Sequence, residues 1–320
     1  MSETDDSASD PILEPITQQF VEDEGETFLA LSPDDARVAF SRLQSLPVGK
    51  PGTDIVDMTF PTGPTGSVQV RIIRPKELPA PLPVVIYCHG GGWVAGDAAT
   101  HDRLIREIAV GANAALVFVC YDRAPEAEFP IAIEQVYAAI LHVVGNAAAL
   151  NVDATRIAVV GDCAGGAIAA SITMLARERR GPKIDLQILI CPVTAADFDT
   201  PSYERFAAGP WLTRAAMTRA WDHWLPDAAR RHEVSAAPLC APLDHLAHLP
   251  ATLIIAAEND VTRDEAECYA RRLSDAGVRV TSVRYNGTIH DFAVLNALAD
   301  TPAARGAIFQ ITDTLRQTFG

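Results

Sequence analysis

The segment 161–166, GDCAGG, places a cysteine where a nucleophile could act. A β-branched apolar run ends at Gly161, and helix-forming residues begin at Ala164. In such a G-x-nucleophile-x-G turn, small neighbours leave room for a sharp backbone elbow between a strand and a helix. The helix N-terminus favours negative charge, so we expect the Cys163 thiol to ionise more easily there. The pattern predicts nucleophilic attack by Cys163, and a glycine-rich turn around a buried cysteine is the alternative interpretation.

A second motif, HGGGW at 89–93, follows an apolar run that is predicted to be a strand. Three consecutive glycines let backbone N–H groups point at one place, where they can bind the oxyanion that forms when a carbonyl is attacked. With His before it and Trp after it, the motif is typical of an esterase oxyanion loop. We expect His89 to brace this loop and to take no part in proton transfer.

An acid and a histidine follow the cysteine along the chain, each after a predicted strand. The order Cys163, Asp260, His290 is the order of nucleophile, acid and base in α/β-hydrolases. The carboxyl ends of parallel strands meet at one edge of a sheet, where ligands bind. Asp264 and Asp244 are competing acids, and we prefer Asp260 because it lies closest to the end of its strand.

The elements that would position these groups alternate along the chain. Apolar, β-branched runs predict strands at 55–60, 67–73, 84–88, 115–121, 156–161, 186–191, 252–256 and 279–284. Helical patterns begin after Ser32 and cover 101–112, 130–149, 164–180, 263–276 and 302–318. The first two strands read as an antiparallel hairpin, and the rest predict a mostly parallel sheet covered by helices on both faces.

Composition and charge exclude several classes of protein. Among 320 residues there are 26 Lys+Arg and 41 Asp+Glu, so the formal charge is −15. Such acidity argues against binding of nucleic acid and of anionic membranes. There is no H-E-x-x-H, phosphate loop or dinucleotide fingerprint, so no metal and no cofactor is predicted. Without a basic, then apolar, N-terminal leader, and with six cysteines outside any C-x-x-C pair, we expect a cytoplasmic location.

The remaining aromatic and histidine residues have weaker signals. Three of the four tryptophans lie in 197–235, which we interpret as a lid over an apolar pocket or else as a satellite core. Trp93, Trp211 and Phe206 are the predicted substrate-binding side chains. The other histidines lie in helix-like or polar stretches, at 101, 142, 223, 232, 245 and 248. Most of these six are predicted to be solvated surface groups.

Several motifs together resemble the hormone-sensitive-lipase family of α/β-hydrolases, the bacterial esterases with an HGGGW loop. They are HGGGW at 89–93, YDRAPE at 121–126, GDCAGG at 161–166, AENDVTRDEAE at 257–267 and NGTIHDF at 286–292. The resemblance runs from about residue 60 to the C-terminus. It implies the α/β-hydrolase fold, a mostly parallel sheet flanked by helices with a helical cap, and it is compatible with a homodimer formed through the last strand.

The same resemblance implies roles for individual residues. Asp260 and His290 would complete a triad with residue 163, and the amides of Gly91, Gly92 and Ala164 would form the oxyanion hole. Residues 1–50 and 197–235 would form the cap, and 51–196 with 236–320 would form the hydrolase core.

Two departures from the family pattern concern the predicted site. The elbow carries Cys163 where the family has Ser, and Asp291 follows the histidine where the family usually has Gly. A natural cysteine and a Ser→Cys variant are both compatible with these residues. We expect a carboxylic ester hydrolase that acts on small-molecule esters with short, apolar acyl chains through an acyl-enzyme on Cys163. An acyltransferase using the same site and a non-catalytic ligand-binding protein on a hydrolase scaffold are the alternatives.

Overall fold

An eight-stranded sheet runs through the residues that the computed structural model describes, 11–79 and 81–320. Its strands are β1 (Thr53–Phe60), β2 (Val68–Pro75), β3 (Leu82–Cys88), β4 (Ala115–Cys120), β5 (Val152–Asp162), β6 (Leu186–Ile190), β7 (Ala251–Asn259) and β8 (Val280–Ile289). The helices are α1 (Pro15–Glu24), α2 (Pro33–Leu43), α3 (Asp102–Ala112), α4 (Ile131–Gly145), α5 (Ala164–Glu178), α6 (Pro201–Arg205), α7 (Arg214–Trp224), α8 (Leu243–Leu246), α9 (Arg263–Asp275) and α10 (Pro302–Phe319).

The strand order is β1-β2-β4-β3-β5-β6-β7-β8, and it confirms the predicted α/β architecture. β1 and β2 form the predicted antiparallel hairpin, β2 is antiparallel to β4, and the remaining pairs are parallel. β3 is buried along its whole length, whereas the edge strand β1 is mostly exposed. Continuous apolar runs therefore mark the strands that helices cover on both faces.

Helix α2 begins as its sequence predicts but packs on a narrower stripe. The Ser32 hydroxyl accepts a hydrogen bond from the Asp35 amide and caps the helix. Its buried residues are Ala36, Phe40 and Leu43. Val38 lies on another face of the helix and is 70% exposed.

Five histidine, cysteine and aspartate residues lie at one edge of the sheet, where its parallel strands end. Register pairs such as Asp162 with Ile190 and Asn259 with Ile289 show that these strands end at a similar level. The residues that directly follow β3, β5, β6, β7 and β8 are His89, Cys163, Cys191, Asp260 and His290. Groups that are up to 201 positions apart in sequence numbering therefore share one edge.

The N-terminal segment and residues 197–235 pack against the loop that follows β3. A Cβ atom at Gly92 would come within 2.9 Å of the Leu29 side chain and 3.1 Å of Ala220. The Thr27 amide donates to the Trp211 carbonyl at 3.1 Å and so joins the two segments. Residues 1–10 of the predicted cap lie outside the described residues. Among the helices described, none has the length and apolar character required to span a bilayer.

Candidate active site

Cys163 occupies a strained turn between β5 and α5. Its backbone has φ 49° and ψ −121°, a conformation that L-residues rarely adopt, and it forms the N-cap of α5. The Cys163 amide donates to the Ile190 carbonyl at 2.8 Å, which fixes the turn against β6. The backbone of Cys88 approaches Gly165 so closely that a Cβ atom there would collide with its carbonyl. The small residues of GDCAGG thus permit the elbow, as the sequence predicts.

His290 is paired with Asp260 at the ends of β8 and β7. Its Nδ1 lies 2.7 Å from Asp260 Oδ2, and both side chains are 1% exposed. Asp260 also accepts hydrogen bonds from the Thr262 amide at 2.9 Å and hydroxyl at 2.8 Å. The carboxylate therefore fixes the orientation of the imidazole and leaves its Nε2 edge facing away from Asp260.

The Nε2 edge of His290 faces the cysteine and a second carboxylate. Cys163 Sγ, a His290 ring nitrogen and an Asp291 carboxylate oxygen all lie within 4.8 Å of one another. The distance from His290 Nε2 to Asp291 Oδ1 is 3.5 Å. Asp291 has a φ of 61°, a region where glycine is favoured, so its backbone adopts the conformation that the family's usual glycine would hold easily. The structure therefore brings both departures from the family pattern to the same edge of one imidazole.

Burial and charge shift the pKa values of these three groups. Burial lowers the pKa of His290, but the Asp260 and Asp291 charges outweigh it and hold that pKa well above its usual value. Burial raises the pKa of Asp291 to about 6, and the nearby His290 only partly offsets this. Burial likewise raises the pKa of the Cys163 thiol above its usual value, and the nearby His290 only partly offsets this. The expectation that the helix N-terminus makes this thiol ionise more easily is therefore wrong, because burial outweighs the favourable charges. A thiolate at Cys163 thus depends on the charge of its histidine neighbour.

Three backbone amides near the cysteine have no acceptor within the described part of the chain. The Gly90 amide donates to Asp162 Oδ2 at 3.0 Å, but the amides of Gly91, Gly92 and Ala164 donate to no protein group of residues 11–79 and 81–320. Ala164 is the first residue of α5, where an N–H group has no partner within the helix. These are the three amides predicted to form an oxyanion hole.

His89 lies behind the glycine loop. Its ring stacks on Tyr121 with centroids 4.1 Å apart, and its Nδ1 lies 2.8 Å from the Gly90 carbonyl oxygen, to which it donates. Burial lowers the pKa of His89 to about 3, so the ring is neutral at physiological pH. A neutral, stacked ring suits the bracing role that the sequence suggests.

His101 is an exception to the prediction that most of the other histidines are solvated surface groups. His101 is 1% exposed, and its Nε2 lies 3.3 Å from Asp162 Oδ2. Glu265, which the sequence analysis did not single out, is also buried; its carboxylate accepts a hydrogen bond from the Ala195 amide at 2.8 Å. Burial raises the pKa of Glu265 well above its usual value, and the Asp260 charge raises it further. Neither contact has a local sequence signal, because each partner is more than 60 positions away.

The two competing acids are engaged elsewhere. Asp264 accepts hydrogen bonds from the Ser202 amide at 2.8 Å and from Arg263 at 2.9 Å, and it lies inside α9. Asp244 lies in the short helix α8 on the surface. Of the three acids considered, the structure brings Asp260 to His290.

The three predicted substrate-binding rings are packed among other aromatic or cationic groups. Trp93 stacks on Trp224 with centroids 4.1 Å apart, Trp211 contacts Phe20 at 4.9 Å, and the Arg263 guanidinium lies 5.4 Å from the Phe206 ring. Each predicted ring is at most 3% exposed. Their contact with a substrate stays a prediction.

The chain is similar to known proteins along most of its length. A family model described as alpha/beta hydrolase fold matches residues 85–294. The carboxylesterase NlhH of Mycobacterium tuberculosis is 35% identical over 308 residues, covering 95% of each chain. An ethyl acetate hydrolase of Pseudomonas putida is 31% identical over 293 residues, covering 90% of this chain and 91% of that protein.

A solved structure is similar over nearly the whole length. The thermostable esterase from Pseudomonas putida ECU1011 superposes with a TM-score of 0.94 at 41% identity, covering 98% of this chain and 99% of that chain. The relatives are named carboxylesterases and esterases, in agreement with the enzyme class predicted from the sequence. The chain belongs to the α/β-hydrolase family.

Proposed function

We propose that this protein is a carboxylesterase that cleaves short-chain, uncharged esters through a thioester on Cys163. The observation that carries the proposal is the position of His290, held by Asp260 on one side and facing the Cys163 thiol on the other. Nucleophile, base and orienting acid within reach of one another are the requirement for covalent acyl transfer.

In the first half-reaction, His290 Nε2 takes the thiol proton and Cys163 Sγ attacks the ester carbonyl carbon. The carbonyl π electrons move to oxygen, and the amides of Gly91, Gly92 and Ala164 donate to that oxyanion. When the intermediate collapses, the bond from carbon to the alcohol oxygen breaks, and the imidazolium protonates the departing alkoxide. The acyl group remains on sulfur as a thioester.

In the second half-reaction, His290 takes a proton from water, and the resulting hydroxide attacks the thioester carbonyl. The same amides stabilise the second oxyanion, the carbon–sulfur bond breaks, and the Cys163 thiolate regains a proton from His290. Asp260 accepts the Nδ1–H hydrogen bond throughout and stabilises the imidazolium.

The surroundings favour small substrates without negative charge. Asp260 and Asp291 are buried beside the imidazole, and their negative charge would repel an ester that carries a carboxylate. Residues 1–50 and 197–235 are the cap that we propose, and Leu29 and Ala220 from its described part lie against the glycine loop. The name of the Pseudomonas relative, ethyl acetate hydrolase, agrees with a short acyl chain.

Intact-protein mass spectrometry after brief exposure to p-nitrophenyl acetate or butyrate tests this proposal. We expect the protein to gain the mass of one acyl group and then lose it, whereas Cys163→Ala gains none. Iodoacetamide should block both the adduct and turnover. Cys240→Ser is the matched control for the alkylation, because Cys240 is exposed and lies in a different part of the fold.

Three outcomes would overturn the proposal in part or in full. Adduct and turnover in Cys163→Ala would exclude this nucleophile. No adduct and no turnover in either the protein or Cys163→Ser would favour a ligand-binding protein. Faster release of the adduct to an added alcohol than to water would indicate an acyltransferase.

A further inference from the structure

The edge of the His290 ring that faces the Cys163 thiol has polar atoms without a hydrogen-bond partner. His290 Nε2 and Asp291 Oδ1 are buried, and neither has a hydrogen-bond partner in the described part of the chain. The side chains are 1% and 6% exposed, and the two atoms lie 3.5 Å apart. These two atoms form an ion pair while the imidazole is protonated, but in its neutral state neither is satisfied by the other. Buried polar atoms in native proteins are nearly always satisfied, so the two atoms and the thiol beside them indicate a place for a further species.

The arrangement has the dimensions of a tetrahedral metal site. Zinc binds imidazole nitrogen and carboxylate oxygen at about 2.0–2.2 Å and thiolate sulfur at about 2.3 Å, which puts neighbouring ligands about 3.3–3.6 Å apart. The 3.5 Å between His290 Nε2 and Asp291 Oδ1 fits this directly. Cys163 Sγ is within 4.8 Å of both atoms. A side-chain rotation that moves the sulfur by about 1 Å would bring it to ligand distance from both.

The groups behind the imidazole support the same assignment. A histidine that binds metal usually donates its other N–H to a carboxylate, which fixes its tautomer. Asp260 accepts from Nδ1 at 2.7 Å, so in the neutral imidazole the lone pair of His290 lies on Nε2, beside Cys163 and Asp291. Cys191 also lies within 4.8 Å of Asp260 and His290, but that group uses a carboxylate already engaged by Nδ1 and by Thr262.

We propose that Cys163, His290 and Asp291 bind Zn²⁺ through sulfur, Nε2 and a carboxylate oxygen. On binding, the Cys163 thiol and the His290 imidazolium each release one proton to solvent, and zinc forms bonds to sulfur, to Nε2 and to the Asp291 carboxylate oxygen; no electron transfer occurs. The bound cation occupies both the attacking sulfur of Cys163 and the proton-accepting Nε2 of His290. It therefore inhibits ester cleavage reversibly. The inhibition rests on the proposed function, whereas the binding itself does not.

Asp291 distinguishes this site from an ordinary cysteine–histidine pair. With the family's usual glycine at this position, only two protein ligands would remain. A third ligand that is already within 3.5 Å of the second raises affinity without the need to order another part of the chain.

Titration of the chelator-stripped, full-length protein with Co²⁺, followed by displacement with Zn²⁺, tests the binding without substrate. We expect one equivalent of Co²⁺ to give a near-ultraviolet thiolate-to-cobalt charge-transfer band and intense visible bands of tetrahedral cobalt. Asp291→Gly and Asp291→Asn should weaken Co²⁺ and Zn²⁺ binding on the order of 100-fold. Cys163→Ala should lose the charge-transfer band, and the control Cys240→Ser should keep it.

The outcomes separate this proposal from the proposed function. Bound Co²⁺ without a thiolate band, or unchanged affinity in both Asp291 variants with native circular dichroism, would overturn the site. If the acyl adduct fails to form but the cobalt spectrum appears as expected, the metal site stands and the catalytic proposal falls. If Zn²⁺ binds but turnover continues at saturation, the inhibition is excluded.

Discussion

Two buried histidine–aspartate pairs flank the strand that carries Cys163. His290 and Asp260 directly follow β8 and β7, whereas Asp162 is the last residue of β5 and pairs with His101, the residue before α3. All four side chains are at most 2% exposed. Burial and chemical composition alone therefore do not separate a candidate catalytic pair from a structural one.

The difference lies in the second ring nitrogen. His101 Nδ1 lies 3.0 Å from the Thr100 hydroxyl and 3.2 Å from the Asp97 carbonyl, while its Nε2 faces Asp162. His290 has Asp260 on Nδ1, and its Nε2 has no hydrogen-bond partner within the described residues. A fully satisfied histidine holds structure, whereas one with a free nitrogen beside a nucleophile can move a proton.

Asp162 shows how the structural pair serves the other. It accepts hydrogen bonds from the Tyr87 hydroxyl at 2.7 Å and from the Gly90 amide at 3.0 Å, in addition to its contact with His101. It is also the residue before Cys163. The His101–Asp162 pair thereby connects the start of the glycine loop to the elbow. It fixes the position of the loop amides relative to the Cys163 thiol.

Replacing each histidine by alanine gives the largest expected contrast. His290→Ala should lower kcat/KM at least about 1,000-fold while the far-ultraviolet circular dichroism stays native, because it removes the proton acceptor. His101→Ala should lower kcat/KM per folded molecule less than about tenfold but cost about 3 kcal/mol of unfolding free energy, because a buried carboxylate loses its partner. The measurements are p-nitrophenyl ester kinetics and chemical denaturation. If His290→Ala kept most of its activity, the different roles assigned to His290 and His101 would be wrong.

A matched pair of Thr→Val substitutions tests the same difference between the two histidine–aspartate pairs. Thr262→Val removes the hydroxyl that donates to Asp260 at 2.8 Å and should lower kcat about tenfold, since one hydrogen bond to a charged group is worth about 1.5–3 kcal/mol. Thr100→Val removes the hydroxyl beside His101 and should instead lower the unfolding free energy by about 1–2 kcal/mol. The opposite pattern, with Thr100→Val harming turnover more than Thr262→Val, would contradict the assigned roles.

The pH dependence of stability gives the smallest effect. Burial lowers the pKa of His101, but the charge and hydrogen bond of Asp162 outweigh it and raise that pKa above its usual value near 6.5. The folded state then binds more protons than the unfolded state above that value. The stability that His101 contributes should be complete below pH ~6.5 and decline as pH rises through the folded pKa.

Denaturation of the protein and of His101→Gln between pH 6 and 9 measures this contribution. The difference in unfolding free energy should be largest at the acid end and shrink with rising pH. His89 is a contrast within the same cluster, because its pKa is lowered to about 3 and its contribution is lost instead as pH falls below ~6.5. A His101 difference that grows with pH would show that its pKa is not raised.

Local patterns predicted much of the scaffold. The β-branched run before Gly161 and the glycines after Cys163 predicted both the strand and the helix of the elbow, because these preferences act over a few residues. The same reasoning failed for His101, whose polarity suggested solvent exposure. Its burial depends on Asp162, 61 positions away, and no local preference reports such a partner.

The surroundings of Asp291 also could not be predicted from local sequence preferences. The sequence marked it as a departure from glycine, but its position beside His290 Nε2 and the thiol depends on where β5 and β8 end relative to each other. The two strands are separated by β6 and β7 in the sheet. Only the assembled register determines which side chains meet across that distance.

Steric and hydrophobic preferences within a short window were enough to predict the alternation of strands and helices and the elbow at Cys163, and the chain order of the predicted nucleophile, acid and histidine could be read directly from the residues. The tertiary structure alone decided which nitrogen of which histidine is left free and that a second carboxylate faces it. The physical reason is that hydrogen-bond satisfaction of a buried group is a property of all its neighbours, and here those neighbours come from four separate strand ends.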